Sequence, residues 1–463
     1  MLIKTFSEMM EMKIHIVGCG KIGGMLINSL VSEGHDIVAI DAKQSVISNL
    51  TNVYDIMGIC GNGVDSDILT EAEVGKSDLF IAVTGSDEFN MLSCFLAKKL
   101  GASHTIARIR TPEYNDSSLS FMTKQLELSM SINPDRLAAQ EIFNILKFPA
   151  AVKVERFTGR SFEMVELRLK PDSVLDGIKL SELRTKKIAN ILVCTVKRGE
   201  EVFIPDGNFV LNGDDRIGIT APPAEIQKFF KAIGELQKQA KNVMILGGSK
   251  IAEYLCDMLI SIGCNVKIIE KCEEKAKKLC ENHPKAVVIC SDGTHQELLI
   301  EEGIKNMDAF VALTGTDEEN ILLSIFATSQ GVLKSISKVN RDELASMADK
   351  LGVDTVISPK KTVSDRLLSY ARAIKNSLGS KVETLYKIMD GGAEALEFNV
   401  VSDPRITDFP LKDLKIKDNV LIAGIIRDRK TIIPGGNDAI HPFDKVVVIA
   451  GGKELSDLSD ILK

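Results

Sequence analysis

Short apolar runs alternate along the chain with longer stretches whose apolar residues recur every three or four positions. In the first half the runs lie near 13–17, 36–40, 54–59, 79–83 and 104–109. Segments such as Ile22–Glu33 and Glu88–Leu100 carry the helical period between them. Strands alternating with amphipathic helices predict a parallel, doubly wound sheet. Asn133-Pro134 then opens a further helix, since a polar cap before proline is a start signal. A β-rich tail begins near Ala151 and includes the apolar run Ile191-Leu192-Val193.

The same pattern returns. Ile14-His15-Ile16-Val17 leads into Gly18-Cys19-Gly20-Lys21-Ile22-Gly23, and 229 positions later Val243-Met244-Ile245-Leu246 leads into Gly247-Gly248-Ser249-Lys250-Ile251-Ala252. Asp41 and Glu270, each closing the next strand, share that offset. Thr84-Gly85-Ser86-Asp87-Glu88-Phe89-Asn90 answers Thr314-Gly315-Thr316-Asp317-Glu318-Glu319-Asn320, with five of seven residues identical. Ser358-Pro359 repeats the helix start. Ile204-Pro205-Asp206-Gly207-Asn208 answers Ile433-Pro434-Gly435-Gly436-Asn437, and Val446-Val447-Val448-Ile449 is a tail strand of the second half. The chain is a tandem duplication.

The expected fold is α/β: two tandem Rossmann-type doubly wound parallel sheets, each followed by a small α+β domain. The expected boundaries are 12–132 for the first Rossmann-type domain, 133–149 for a connecting helix and 150–235 for the first small domain. In the second half they are 241–357, 358–380 and 381–463. Gly234–Lys241, with its polar Gln237-Lys238-Gln239, reads as the linker between halves.

At 463 residues the chain is long enough for several cores. Its net charge of −7 argues against tracking a nucleic-acid backbone. No apolar stretch is long enough to span a bilayer; Ile217–Ile226 is short and Lys228 follows it. The first dozen residues lack the apolar core of an export signal, and Met9, Met10 and Met12 are alternative starts. The nine cysteines include no CxxC pair and read as buried thiols of a reducing cytosol. The six histidines are scattered and do not recur at equivalent repeat positions, so no metal site is expected, and His15 reads as a packed core residue.

The candidate chemistry lies in the glycine turn. Gly18 permits the tight turn, Gly20 lets backbone approach a pyrophosphate, and Gly23 lets helix and strand pack closely. The helix opening at Lys21-Ile22 points free N–H groups at the phosphates. Asp41 is placed to accept both ribose hydroxyls of an adenosine, and its charge favours NAD(H) over a 2′-phosphorylated cofactor. Gly63-Val64, in the loop after the third strand, and Thr84, Gly85 and Asp87, after the fourth, fall on the same sheet edge. Arg108 and Arg110 follow on the fifth strand, where guanidinium groups suit phosphates. For Asp87 and Asn90, helix capping is an equal alternative.

The second half departs from this set. Gly247 and Gly248 open its turn, but Ser249 and Ala252 replace the second and third fingerprint glycines, with Lys250 and Ile251 between them. Glu270 keeps the carboxylate, while Lys338 stands for Arg108 and Asn340 for Arg110. A second adenosine site and an empty structural cleft remain alternatives.

With the glycine turn, the Thr84–Met91 segment, Ala107-Arg108-Ile109-Arg110-Thr111-Pro112-Glu113-Tyr114, Ser291-Asp292-Gly293 and Leu313-Thr314-Gly315, nearly the whole chain resembles the TrkA family of potassium-uptake regulators. The resemblance implies two RCK units, each with an N and a C subdomain. It implies a homo-oligomeric ring, dimer or tetramer, that sits peripherally on the cytoplasmic face of the membrane. Its implied partner is an integral-membrane potassium translocation subunit of the TrkH or KtrB kind, and no nucleic acid. NAD(H), with ATP or ADP as further ligands, would occupy the clefts and change ring shape without being turned over. The rival readings are an NAD-dependent oxidoreductase and a nucleotide-sensing ring for another cation channel or exchanger.

Overall fold

The computed structural model describes residues 11–111, 116–147, 151–156, 163–185, 190–234, 240–353, 355–377, 382–428, 430–452, 455 and 457–463. Met9, Met10, the segment Pro112–Tyr114 and most of the Gly234–Lys241 linker lie outside them.

The first sheet contains β1 (Lys13–Val17), β2 (Asp36–Asp41), β3 (Met57–Cys60), β4 (Leu79–Ala82), β5 (His104–Arg108) and β6 (Met130–Ile132). Their order is β3-β2-β1-β4-β5-β6 and every pairing is parallel. This is the dinucleotide-fold order, which reverses between β1 and β4. Five of the strands were legible as apolar runs; β6, three residues long, was not. The central strands are buried on both faces, so they read as continuous Val, Ile, Leu and Ala. His15 is fully buried there: its Nε2–H donates to the Ala72 carbonyl at 2.7 Å, and its Nδ1 lies 2.9 Å from the Ser77 hydroxyl.

A five-stranded antiparallel sheet follows: β7 (Lys153–Arg156), β8 (Glu163–Arg168), β9 (Leu192–Arg198), β10 (Glu201–Phe203) and β11 (Arg216–Ala221), in the order β10-β9-β11-β8-β7. The second parallel sheet holds β12 (Asn242–Leu246), β13 (Asn265–Glu270), β14 (Val287–Cys290), β15 (Ala309–Ala312), β16 (Lys334–Lys338) and β17 (Thr355–Ile357), ordered as the first. The last sheet holds β18 (Val382–Ile388), β19 (Ala393–Asn399), β20 (Val420–Arg427), β21 (Lys430–Ile432) and β22 (Lys445–Ala450). It repeats the topology of the first antiparallel sheet.

The chain divides into two compact units, and the division does not fall between the halves. One unit contains residues up to Ala138 together with Ser358–Ala371; the other contains Ala139–Ile357 and Arg372–Lys463. The helix Pro359–Ser377 therefore begins on the first sheet's unit, where Tyr370 meets His104 edge-on and the Ser364 hydroxyl lies 3.5 Å from that of Ser29.

In the second unit the two small sheets share a core. Met164 and Cys194 pack with Ile388, Ala393, Ala395, Ala423, Val447 and Ile449. The Thr220 hydroxyl donates to the Ala423 carbonyl at 3.1 Å. Arg216 pairs with the buried Glu166, whose other oxygen accepts the Met389 N–H at 3.1 Å. A sheet this small buries too little apolar surface alone, and pairing within one chain supplies the missing face.

All nine cysteines are free thiols. Only Cys19, Cys94, Cys194 and Cys256 are buried, while Cys60, Cys280 and Cys290 are exposed, so a uniformly buried set is corrected. Burial pushes the Cys19 and Cys194 thiols up to about 12. No helix among the described residues is long and apolar enough to cross a membrane.

Candidate functional site

The first cleft is built at the C-terminal ends of β1, β2, β4 and β5. Three glycines shape its turn for different reasons. Gly18 has φ +89°, and a Cβ there would stand 2.8 Å from the backbone nitrogen of Thr84. Gly23 lies within the helix Lys21–Val31, and its added Cβ would come 2.1 Å from the Gly18 carbonyl oxygen. Gly20 is the N-cap of that helix, and nothing lies within 4 Å of a Cβ built on it. Gly18 and Gly23 are therefore required by packing. Nothing in the protein itself requires glycine at Gly20, which has open space beside it.

Lys21 and Ile22 form the first turn after Gly20, with Lys21 exposed. No side chain caps this N-terminus, so its amides remain available to an anion. Asp41 holds the turn from the side: one carboxylate oxygen accepts the Cys19 N–H at 2.8 Å and the other the Lys43 N–H at 2.9 Å. Each oxygen retains a lone pair, which leaves room for two ribose hydroxyls. Gly63 is buried, with no room for a Cβ, which would come 2.3 Å from Val17 Cγ1, and its carbonyl accepts the Ser93 hydroxyl at 2.6 Å. Val64 follows in a turn closed by the Asn62 side chain, which accepts the Val64 N–H at 3.2 Å.

Ser86 is the N-cap of the helix Asp87–Leu100. Asp87 and Asn90 do not cap this helix; both brace the neighbouring backbone. Asp87 Oδ2 accepts the N–H groups of Arg110 and Thr111, both at 2.8 Å, and the Thr111 hydroxyl. Asn90 Oδ1 accepts the Thr84 N–H and hydroxyl, and its amide donates to the Arg108 carbonyl at 3.0 Å. Together they tie the Thr84-Gly85 loop to the end of β5, and Gly85 has open space beside it. Asp317 and Asn320 repeat both braces. That recurrence across the duplication was the available signal for a bracing role.

The two arginines separate. Arg110 donates through Nε to Asp135 at 2.8 Å and is committed there. Arg108 is 9% exposed, and its Nε has no hydrogen-bond partner. Burial, reinforced by the neighbouring Arg110 charge, holds the Arg108 guanidinium below its ordinary pKa; Asp87 and Asp135 offset this in part. A buried guanidinium N–H lacking a partner is costly unless an acceptor completes it.

The second cleft keeps the architecture but changes the contacts. Gly247 has φ +93° and repeats Gly18. Glu270 accepts the Gly248 N–H at 2.6 Å and the Cys272 N–H at 2.8 Å, as Asp41 does one methylene shorter. A Cβ added at Gly248 would stand 2.5 Å from Leu279 Cδ1 and 3.0 Å from Glu270 Oε2. Ser249 now caps its helix through its own hydroxyl, which accepts the Ala252 N–H at 3.4 Å. Lys250 opens that helix and Ile251 is buried beneath it. A cavity of about 390 Å³ lies here, lined by Gly247, Gly248, Ser249, Glu270, Thr314 and Lys338 among others.

The fold and the two clefts define a protein of tandem dinucleotide-fold domains, each coupled to a small antiparallel partner domain. The TrkA-N domain family matches residues 14–125 and 243–359, and the TrkA-C domain family matches 164–234 and 395–463. The chain belongs to the TrkA family. It is 30% identical over 452 residues to the Trk system potassium uptake protein TrkA homolog of Archaeoglobus fulgidus, covering 98% of this chain and all of that one. It is 28% identical over 459 residues to the Trk system potassium uptake protein TrkA of Vibrio alginolyticus, covering 98% of this chain and 99% of that one. Among solved structures, the RCK domain of the GsuK channel matches with a TM-score of 0.62 at 17% identity, covering 96% of this chain and 93% of that one. The GsuK channel bound to NAD matches with a TM-score of 0.63 at 16% identity, covering 96% and 77%. At this identity the structural likeness speaks for the fold.

Proposed function

We propose that this chain is the peripheral cytoplasmic regulatory subunit of a Trk-type potassium uptake system, and that its first cleft senses NAD(H). The carrying observation is the buried Arg108, whose Nε has no partner, on the sheet edge that also holds an uncapped helix N-terminus and open space at Gly20. Those three features suit a pyrophosphate. Gly18, Gly20 and the amides at Lys21 and Ile22 would cradle it, Arg108 would neutralise it, and Asp41 would take the ribose of the adenosine. Such a cofactor carries hydride chemistry when bound to a dehydrogenase. Here the residues bind, orient and exclude 2′-phosphate, and the readout is conformational. ATP or ADP shares the adenosine and phosphate contacts and is the competing ligand.

In this reading the nucleotide shifts a homo-oligomeric assembly between two shapes by its differential affinity for them. A coupling of about 1–3 kcal/mol per site pair would change the partner's equilibrium about 5- to 150-fold. The partner is an integral-membrane potassium translocation subunit, in keeping with the Trk system names of the relatives. The test is potassium flux into membrane vesicles that contain the translocator, with and without this chain. A flux that responds to NADH only when the chain is present supports the proposal; flux indifferent to both contradicts it.

A further inference from the structure

We propose that Cys272 and Cys290, at the rim of the second cleft, form a redox-reactive pair that closes to a disulfide when a low-molecular-weight disulfide oxidises it and reopens on reduction. This does not rest on a nucleotide occupying either cleft.

The sheet assembles the pair. Glu270 ends β13, Cys290 ends β14, and the two are Cα partners in the parallel register. Adjacent strands lie about 4.8 Å apart, so Cys290 stands beside the point where the chain leaves β13. Cys272 follows two residues later. Its N–H is drawn back to the Glu270 carboxylate at 2.8 Å, which keeps it at the strand ends. The Ser291 N–H donates to the Glu270 carbonyl at 3.1 Å and ties the two exits together. A disulfide needs Cα atoms about 4.4–6.8 Å apart, and two strand exits held side by side offer that span.

The first cleft shows where a thiol at this position reaches. Cys60 ends β3 opposite Asp41, as Cys290 ends β14 opposite Glu270. The Cys60 thiol donates to the Ala42 carbonyl at 3.6 Å, so it lies against the peptide joining Ala42 to Lys43. The corresponding peptide of the second half joins Lys271 to Cys272. A Cys290 thiol placed in the same way meets a second thiol where Cys60 meets a lysine. The duplication thus supplies a control, with a pair in one half and a single thiol in the other.

The other thiols nearby stand elsewhere. Cys280 is exposed but lies towards the far end of the helix Glu273–Asn282, about 12 Å from Cys272 at 1.5 Å per residue. Cys264 precedes β13 at the opposite edge of the sheet, and Cys256 is buried. Cys290 is exposed and Cys272 half-buried, which suits the first to meet an oxidant and the second to resolve it. Lys271 and Lys275, on the adjoining cavity wall, attract an anionic oxidant such as glutathione disulfide.

The reaction is thiol–disulfide exchange. The Cys290 thiolate attacks one sulfur of RSSR; a Cys290–SR bond forms, the S–S bond of the oxidant breaks and RS⁻ leaves. The Cys272 thiolate then attacks Cys290 Sγ, the Cys272–Cys290 bond forms and the second RS⁻ leaves. The two protons lost by the cysteines end on the two RS⁻, so two thiols are oxidised and one RSSR is reduced to two RSH. Disulfides in reducing compartments are usually transient and catalytic or redox-sensing. This one would join the exit carrying Glu270 and Lys271 to the exit carrying Ser291 and Asp292, and all four residues line the second cavity. Oxidation then fixes the opening of the second cleft.

The test is oxidation of the folded full chain by glutathione disulfide, alkylation of the remaining thiols, and peptide mass mapping without reduction. Wild type is compared with Cys272→Ser; the wild-type map is informative by itself if the variant fails to fold. The expected result is a Cys272–Cys290 cross-link in wild type that dithiothreitol reverses, and a glutathione adduct that persists on Cys290 in the variant. Hydrogen exchange at residues 270–275 and 290–294 should slow in the oxidised wild type and not in the oxidised variant. A pair left reduced, a persistent adduct on Cys290 in wild type, a cross-link from Cys290 to Cys280 or any other cysteine, or exchange unchanged by the cross-link would each overturn the proposal.

Discussion

Replacing Arg108 by methionine should make the ligand-free protein more stable and the nucleotide-bound protein less so. The side chain is 9% exposed and its Nε has no partner, so in the ligand-free protein its charge is compensated only in part. The effective penalty of such an ion is several kcal/mol, of which the charges of Asp87 and Asp135 recover part. Methionine keeps the length and removes the charge, so a gain of about 1–3 kcal/mol in the unit holding the first sheet is expected. A hydrogen bond to a charged group contributes about 1.5–3 kcal/mol, and its loss weakens dinucleotide binding about 10- to 150-fold. The two effects have opposite signs and one assay reads both. At NADH held 100-fold above the wild-type Kd, ligand stabilises wild type by about 2.7 kcal/mol; a 100-fold weaker variant would gain only about 0.4 kcal/mol. Urea unfolding with and without NADH, followed by hydrogen exchange in β1, β4 and β5, measures these differences. A variant that is less stable than wild type without ligand, yet keeps its full NADH stabilisation, refutes the reasoning.

Gly23→Val should damage folding, because its Cβ would meet the Gly18 carbonyl at 2.1 Å; a loss of at least about 3 kcal/mol in urea unfolding is expected, and a wild-type midpoint would contradict it. Glu166→Leu should cost about 3–5 kcal/mol by leaving Arg216 without its acid, and adding Arg216→Met should recover most of that loss. A double variant no more stable than the single one would show that the pair is not what matters. Burial holds the His15 pKa below the ordinary histidine value of about 6.5, despite the opposing bond to the Ala72 carbonyl. The unfolded chain therefore binds a proton that the native state refuses, so this contribution is present above about pH 6.5 and fades as pH falls below it. His15→Gln should flatten that part of the stability–pH curve, and an unchanged slope would count against it.

The parallel sheets were readable because buried strands are continuous apolar runs and the duplication showed each twice. β6 escaped because three residues, Met130–Ile132, carry no period. The helix starts at Pro134 and Pro359 were read correctly, since proline after a polar residue fixes the first turn. Where Pro359–Ser377 packs was not legible, because its contacts with Ser29 and His104 join residues far apart in sequence. At the site, the glycine pattern reported backbone geometry that only glycine permits at Gly18 and Gly23. It could not reveal that Arg110 is spent on Asp135 while Arg108 is not, because that choice is made by side chains distant in sequence. Nor could residue type alone show that Asp87 spends its Oδ2 on the strand exit it braces.

The most direct test is a calorimetric titration of NADH into wild type and Gly20→Val. A Cβ at position 20 meets nothing within 4 Å in the protein, so the substitution is expected to spare the fold, and on the proposed reading it intrudes on the phosphate. The account predicts NADH binding to the wild-type first cleft and its loss in the variant, with the nicotinamide recovered chemically unchanged. Equal binding to both proteins, or steady oxidation of the NADH, would contradict it.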